Sequence, residues 1–135
     1  MAALNRALAT AKRAYATLDE ILKKPSTVIV RDASIQRFEY TFEAVWKLLK
    51  VYLFEIEGID CASPKSSLRQ ALKTGILSAP ETEKAILMCD DRNLASHTYI
   101  ETVAKKIYRR LKKHSGLMKK IIDGVAARSK EHTEI

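Results

Sequence analysis

Apolar residues recur along most of this chain at alternating intervals of four and three, the repeat of one α-helical face. Leu4, Leu8, Ala11, Tyr15, Leu18 and Leu22 form the first such face, and Arg6, Lys12, Arg13, Asp19 and Glu20 lie mostly off it. Pro25 ends the run, since proline lacks the helical N–H donor and its ring clashes with the preceding turn. Ser26 to Arg31 reads as a linker: its Thr-Val-Ile-Val is β-branched, but too short and isolated to build a sheet. Asp32 is the expected N-cap of a second helix, carrying Ile35, Phe38, Phe42, Val45, Leu49, Tyr52 and Ile56. Trp46, Leu48, Leu53 and Phe54 widen that stripe, so this helix must be covered on more than one side and is also a candidate face for a second subunit. Gly58 closes it.

Ser63-Pro64 pairs an N-cap with proline at the first helical position, and a short helix follows through Leu68, Ala71 and Leu72 to Gly75. Pro80-Glu81 opens the next, whose buried side is Ala85, Ile86, Met88 and Cys89. The last helix carries Ile100, Ala104, Ile107, Leu111, His114, Met118, Ile121 and Val125, with Gly116 a candidate kink and Arg128 to Ile135 a frayed tail. The pattern predicts one all-α domain over residues 1–135, an antiparallel up-and-down four-helix bundle with an additional short helix.

Between the last two helices the pattern breaks. Asp90-Asp91-Arg92-Asn93-Leu94-Ala95-Ser96-His97-Thr98-Tyr99 gathers two acids, an Arg, an Asn, a Ser, a His and a Tyr. Ser, Asn and Asp compete with the helical backbone for hydrogen bonds, so they favour caps and turns. On one continuous helix Arg92 and His97 would point about 140° apart. A junction lets both turn toward the same space. Thr98 followed by Glu101 matches a capping box, so one helix is expected to end near Leu94 and another to begin after Thr98.

Charge sharpens the picture. The 135 residues carry a formal charge of +8. Ten Lys/Arg against four Asp/Glu lie between Ile100 and Ile135, so most of that excess sits on the last helix. A basic stripe of this kind suits a polyanion such as RNA, and equally a solvated face. Tyr108 is its one interleaved aromatic, which argues against a dedicated single-strand stacking platform. Cys61 and Cys89 fit no metal spacing and read as reduced thiols of a cytoplasmic protein. His97, His114 and His132 share no ligand spacing, and no phosphate loop, nucleophile elbow or dinucleotide fingerprint is present. No cofactor is therefore expected. His114 lies on the apolar stripe and reads as a packing histidine, and His132 belongs to the tail. The N-terminus has no signal-peptide pattern, and no apolar run approaches the ~18 residues of a membrane span.

Chemistry then rests on the junction. Without a metal, His97 can take a proton from a ribose 2′-hydroxyl or return one to a leaving oxygen. Arg92 can hold a phosphate bidentately and stabilise charge at phosphorus. One His serves only one end of an in-line displacement, and a two-fold dimer would bring a second. The plain structural alternative is a helix junction held by Asp and Asn caps, with Arg92 paired to Asp90 or Asp91.

Arg92-x4-His97, extended through Thr98-Tyr99, resembles the HEPN superfamily of helical nucleotide- and RNA-associated domains, and within it the nucleotidyltransferase substrate-binding branch. Arg37-Phe38-Glu39-Tyr40-Thr41-Phe42-Glu43 with Trp46-Lys47, Ser63-Pro64-Lys65 through Leu72-Lys73-Thr74-Gly75, and Ala104, Ile107 and Tyr108 resemble further blocks of that branch, in order. Two positions depart from its pattern: Ile100 replaces a polar residue and Ala85 an aromatic. The resemblance implies a homodimeric helical bundle with a nucleotidyltransferase partner on a separate chain. In such pairs the HEPN chain is an RNase toxin that the partner can silence by attaching AMP to a tyrosine two residues after the motif His. Tyr99 stands there. The resemblance thus makes Arg92 and His97 catalytic, with Asn93 and Asp91 orienting them, or else makes the chain a non-catalytic substrate-binding subunit.

Overall fold

Thr27, not Asp32, starts the second helix. In the computed structural model, which describes residues 1–134, its side-chain oxygen accepts the N–H of Val30 at 3.0 Å. The expected linker is thereby reduced to a few residues between α1 (Ala2–Leu22) and α2 (Val28–Glu55). Val28, Ile29 and Val30 are weak helix formers, but a capped first turn and a long packed helix behind it outweigh that preference. Asp32 instead accepts from Arg31 Nε at 3.0 Å.

The remaining elements are α3 (Pro64–Lys73), α4 (Ala79–Leu94), a 3₁₀ turn (Ala95–His97) and α5 (Glu101–Glu134). Ser63 caps α3, with Pro64 at its first position. Ser78 and Glu81 form a reciprocal capping box at the start of α4, where Glu81 also meets Lys120 of α5. The expected Gly116 kink does not interrupt α5, which continues across that position. Nor does the helix end at Arg128. That guanidinium donates to the Tyr52 hydroxyl at 3.1 Å and to the Thr74 carbonyl, and Ser129 is buried, so the tail is helical because its first turn is tied to α2 and α3.

Pairings along the helices give the directions. Arg31 meets Glu101, Phe38 meets His114 and Tyr52 meets Arg128, so α2 and α5 run the same way. Asp91 meets His114 and Glu81 meets Lys120, so α4 opposes α5. Arg37 donates to the Thr17 carbonyl and Thr41 to that of Ala14, so α1 opposes α2. This is the up-and-down bundle, with α2 and α5 as its parallel diagonal. α2 is the core helix. Phe38, Phe42, Leu48, Leu49, Tyr52 and Leu53 are all essentially inaccessible, and burying each large apolar side chain stabilises the fold by about 1.5–3 kcal/mol. They face Leu4, Ala11 and Leu18 of α1 and Ala104, Ile107, Leu111 and Met118 of α5. The α4–α5 junction sits at the bundle end where α2 begins, fixed there by the two-pronged Arg31–Glu101 pair.

Candidate functional site

α4 ends at Leu94, as its pattern predicts, and the chain tightens into the 3₁₀ turn before α5. The Thr98–Glu101 capping box does not form, because α5 begins only at Glu101. The Glu101 carboxylate is drawn across to Arg31, with 2.6 Å from Nη1 to Oε1. That guanidinium holds the Glu101 carboxyl below the usual carboxylate range. A long-range charged partner has displaced a local cap.

Successive residues of α4's last turn face different neighbours, since each step rotates the side chain by about 100°. Asp90 pairs with Lys65 of α3 at 2.7 Å. Asp91, only 3% exposed, turns toward α5, where its two oxygens take Arg110 Nη1 at 2.8 Å and His114 Nε2 at 2.7 Å. The His114 ring stacks on Phe38, centroids 5.4 Å apart and 24° from coplanar. His114 is thus the expected packing histidine, with a buried carboxylate on its edge. Burial pushes its pKa below the ordinary histidine value, and the Asp91 contact opposes that shift. The neutral ring donates its Nε2–H to Asp91.

Arg92 turns toward α2. Its Nη2 lies 3.2 Å from Glu43 Oε1, not against Asp90 or Asp91 as the structural alternative supposed. Trp46 Nε1 donates to the other Glu43 oxygen at 3.1 Å and holds that carboxylate in place. The Arg92 Nε is buried without a hydrogen-bond partner among the described residues. His97, at the end of the 3₁₀ turn, is exposed, and its ring meets Tyr99 edge-on with centroids 6.1 Å apart. Tyr99 itself is 81% exposed. Asn93 is exposed, and its carbonyl accepts from the Ser96 hydroxyl at 3.2 Å.

Arg92, Asn93, His97 and Tyr99 therefore lie at one junction with accessible or incompletely paired polar groups. No hydrogen bond joins Arg92 to His97 among the described residues. Asp91 does not share their surface, because its carboxylate is spent on α5. Glu43 and Trp46 belong to the candidate site, a role that sequence reasoning, which named them only in a family block and an apolar stripe, did not give them. The available signal was an acid three residues before the single Trp, one helical turn away on the same side of α2. No three His, Cys, Asp or Glu side chains converge into a metal cluster among the described residues, and no helix among them is long and apolar enough to cross a membrane.

This geometry can be set beside known proteins. A Thermus thermophilus structure matches with 46% identity and a TM-score of 0.82, over 85% of this chain and 98% of that one. A tri-AMPylated Shewanella oneidensis HEPN toxin in complex with its MNT antitoxin shares the fold, at 18% identity and TM-score 0.73 over 92% and 96% of the two chains. The probable ribonuclease HepT of Haemophilus influenzae is 30% identical over 82 residues, which is 58% of this chain and only 55% of that protein. The family model described as "Nucleotidyltransferase substrate binding protein like" matches residues 3–127, so the chain belongs to the nucleotidyltransferase substrate-binding protein family.

Proposed function

We propose that this chain is the HEPN subunit of a two-component system, a metal-independent endoribonuclease paired with a nucleotidyltransferase on a separate chain. The observation that carries the reading is the part-exposed guanidinium of Arg92 at the same junction as an exposed His97. The guanidinium keeps part of its surface exposed and has N–H donors besides the one facing Glu43, and a phosphate oxygen would accept from them. His97 then takes the proton of a ribose 2′-hydroxyl as that oxygen bonds to the adjacent phosphorus. The bond from phosphorus to the 5′-oxygen breaks, leaving a 2′,3′-cyclic phosphate and a 5′-hydroxyl. The proton for the leaving oxygen comes from His97 of a second copy in a homodimer, which supplies the acid that one imidazole cannot also be. Arg92 stabilises the charge on phosphorus and Asn93 orients the strand at the turn. Asp91 acts from behind, by holding α4 to α5. The setting is the cytoplasm, where RNA and ATP are both available.

Tyr99 is the control point. Its oxygen attacks the α-phosphorus of ATP held by the partner, a phosphoester forms, pyrophosphate leaves and the phenolic proton is released. AMP there adds an anion beside His97. The cleavage reading is tested with purified protein and single-stranded RNA in a metal chelator. Replacing His97 by Ala is expected to slow cleavage by about 10²–10⁴-fold, the usual contribution of a general acid–base group. Equal rates for the two proteins would overturn it.

The Glu43–Arg92 pair favours a second reading. A guanidinium already neutralised by a carboxylate suits a subunit that presents a substrate to the nucleotidyltransferase without cutting it. Here a complex forms with the partner, and RNA is left intact by the wild type and the His97→Ala protein alike.

A further inference from the structure

Lys84, Leu87 and Asp91 follow one another at intervals of three and four along α4, which places them on one face. That face looks onto α5. Lys84 and Leu87, with Arg110, Lys113 and His114 of α5, line a cavity of about 250 Å³. It lies on a different side of α4 from Arg92, which turns to Glu43 of α2. We propose that this cavity is a nucleotide-binding site, taking a phosphate on its lysines and a base against Leu87 and His114.

Charge fixes the sign of the ligand. The lining holds three cations, Lys84, Arg110 and Lys113, and Asp91, bonded to Arg110 and His114, offsets only one of them. Lys84 and Lys113 have no ion pair among the described residues. Arg110 commits one N–H to Asp91 at 2.8 Å, and a guanidinium has several more donors in a fixed fork. A bare metal ion is excluded by that field. The wall fixes the ligand's other half, because Leu87 leaves 59% of its surface uncovered beside the cations. A small inorganic anion would leave that apolar surface in water, whereas a base would cover it. His114 adds discrimination. Donating Nε2–H to Asp91 makes its other ring nitrogen an acceptor, which matches the exocyclic N–H of a base. A volume of about 250 Å³ sits just below the usual small-molecule range, which suits one nucleotide and not a dinucleotide cofactor. The same chemistry is presented by free AMP and by one residue of an RNA strand.

The test is titration calorimetry of the purified protein with AMP, inorganic phosphate and a five-nucleotide single-stranded RNA. AMP is expected to bind. The Lys84→Ala/Lys113→Ala double variant should weaken it by at least about tenfold, as two charge-assisted contacts are lost. Lys106→Ala/Lys130→Ala removes the same charge from exposed positions outside the lining and should change it by less than about twofold. Leu87→Glu, at an exposed position the fold tolerates, should abolish binding. Equal losses in the two double variants would overturn the proposal, as would absent AMP binding or phosphate competing as well as AMP. Tighter binding of RNA than of AMP through Lys84 and Lys113 assigns the site to the strand, and the reverse assigns it to the free nucleotide. The assay reads no cleavage, so its outcome is independent of the ribonuclease reading.

Discussion

Asp91 and Arg92 are neighbours in sequence and opposites in environment. Asp91 is buried, its carboxylate doubly bonded to α5 and its histidine partner packed on a phenyl ring. Arg92 is half-buried, with one charge partner and one orphaned N–H. Polar groups that serve only stability end up fully paired, because an unpaired buried one is costly. The Asp91 carboxylate therefore holds α4 to α5, whereas Arg92, His97 and Tyr99 keep exposed or unpaired polar groups. The contrast makes a graded set of stability predictions, largest where the network is complete and vanishing where it is open.

The largest effect is expected from Asp91→Ala. It leaves Arg110 with a lost partner and His114 with an unsatisfied N–H in the core. Arg110 stays half-exposed and keeps its hydration, so the cost is that of a stranded buried donor, about 1–3 kcal/mol, and the melting temperature should fall by several degrees for a chain of this size. A loss below about 1 kcal/mol would mean that water replaces Asp91, and the two sides would not differ as argued.

Acid should expose the same network more gently. The folded-state pKa of His114 lies below its ordinary value of 6.5, chiefly through burial. The unfolded chain therefore binds the extra proton first as pH falls below about 6.5, and stability drops from there downward. One such group contributes a slope of at most about 1.4 kcal/mol per pH unit. Glu81, held down to about 2 by Lys120 and the Ser78 cap, acts lower: its stabilisation is complete above pH 4.5 and lost toward 2. Chemical denaturation at several pH values should show both windows, and His114→Gln should remove the upper one alone. A loss starting only near pH 4.5 in the wild type would deny the histidine its part.

These long-range partners are what periodicity could not supply. Helix count, most core positions, the Ser63 start and the break after Leu94 were legible, because spacing and local caps are encoded within a few residues; the Ser78 cap went unread behind Pro80-Glu81, and Phe54, Leu72 and Ile100 of the expected apolar faces are exposed. The start of α2 was misplaced since Val28-Ile29-Val30 reads as β-branched linker until Thr27 is seen to cap it. The tail read as frayed because what holds it, Tyr52 and Thr74, lies more than fifty positions earlier. The motif was visible at Arg92, His97 and Tyr99, yet the residue that holds Arg92 was not. Glu43 is on another helix, and nothing in α4's own pattern distinguishes it from Asp90 or Asp91 as a partner.

On the open side, His97→Ala should cost less than about 0.5 kcal/mol, since the ring is exposed and its described contact is one edge-on phenol. Thermal melting beside the RNA assay separates the roles. A cleavage defect in a variant that melts with the wild type belongs to chemistry, and a large fall in melting temperature would make the histidine structural.

Tyr99→Phe sits at the bottom of the scale. It removes one oxygen from a side chain that is 81% exposed and keeps the ring that meets His97. Edge-to-face contact between the two rings needs no phenolic oxygen, so folding stability should be unchanged within measurement. Any other consequence therefore belongs to that oxygen. Co-expression with the partner nucleotidyltransferase and ATP should add AMP units to the wild-type mass and none to the Phe variant, while RNA cleavage by the unmodified variant matches the wild type. Retained AMP in Tyr99→Phe would move the modification to another residue. No AMP on either protein, in a complex that still forms, would favour the substrate-presenting subunit, because an exposed tyrosine beside an intact Arg and His would then lack the transfer that makes it a switch.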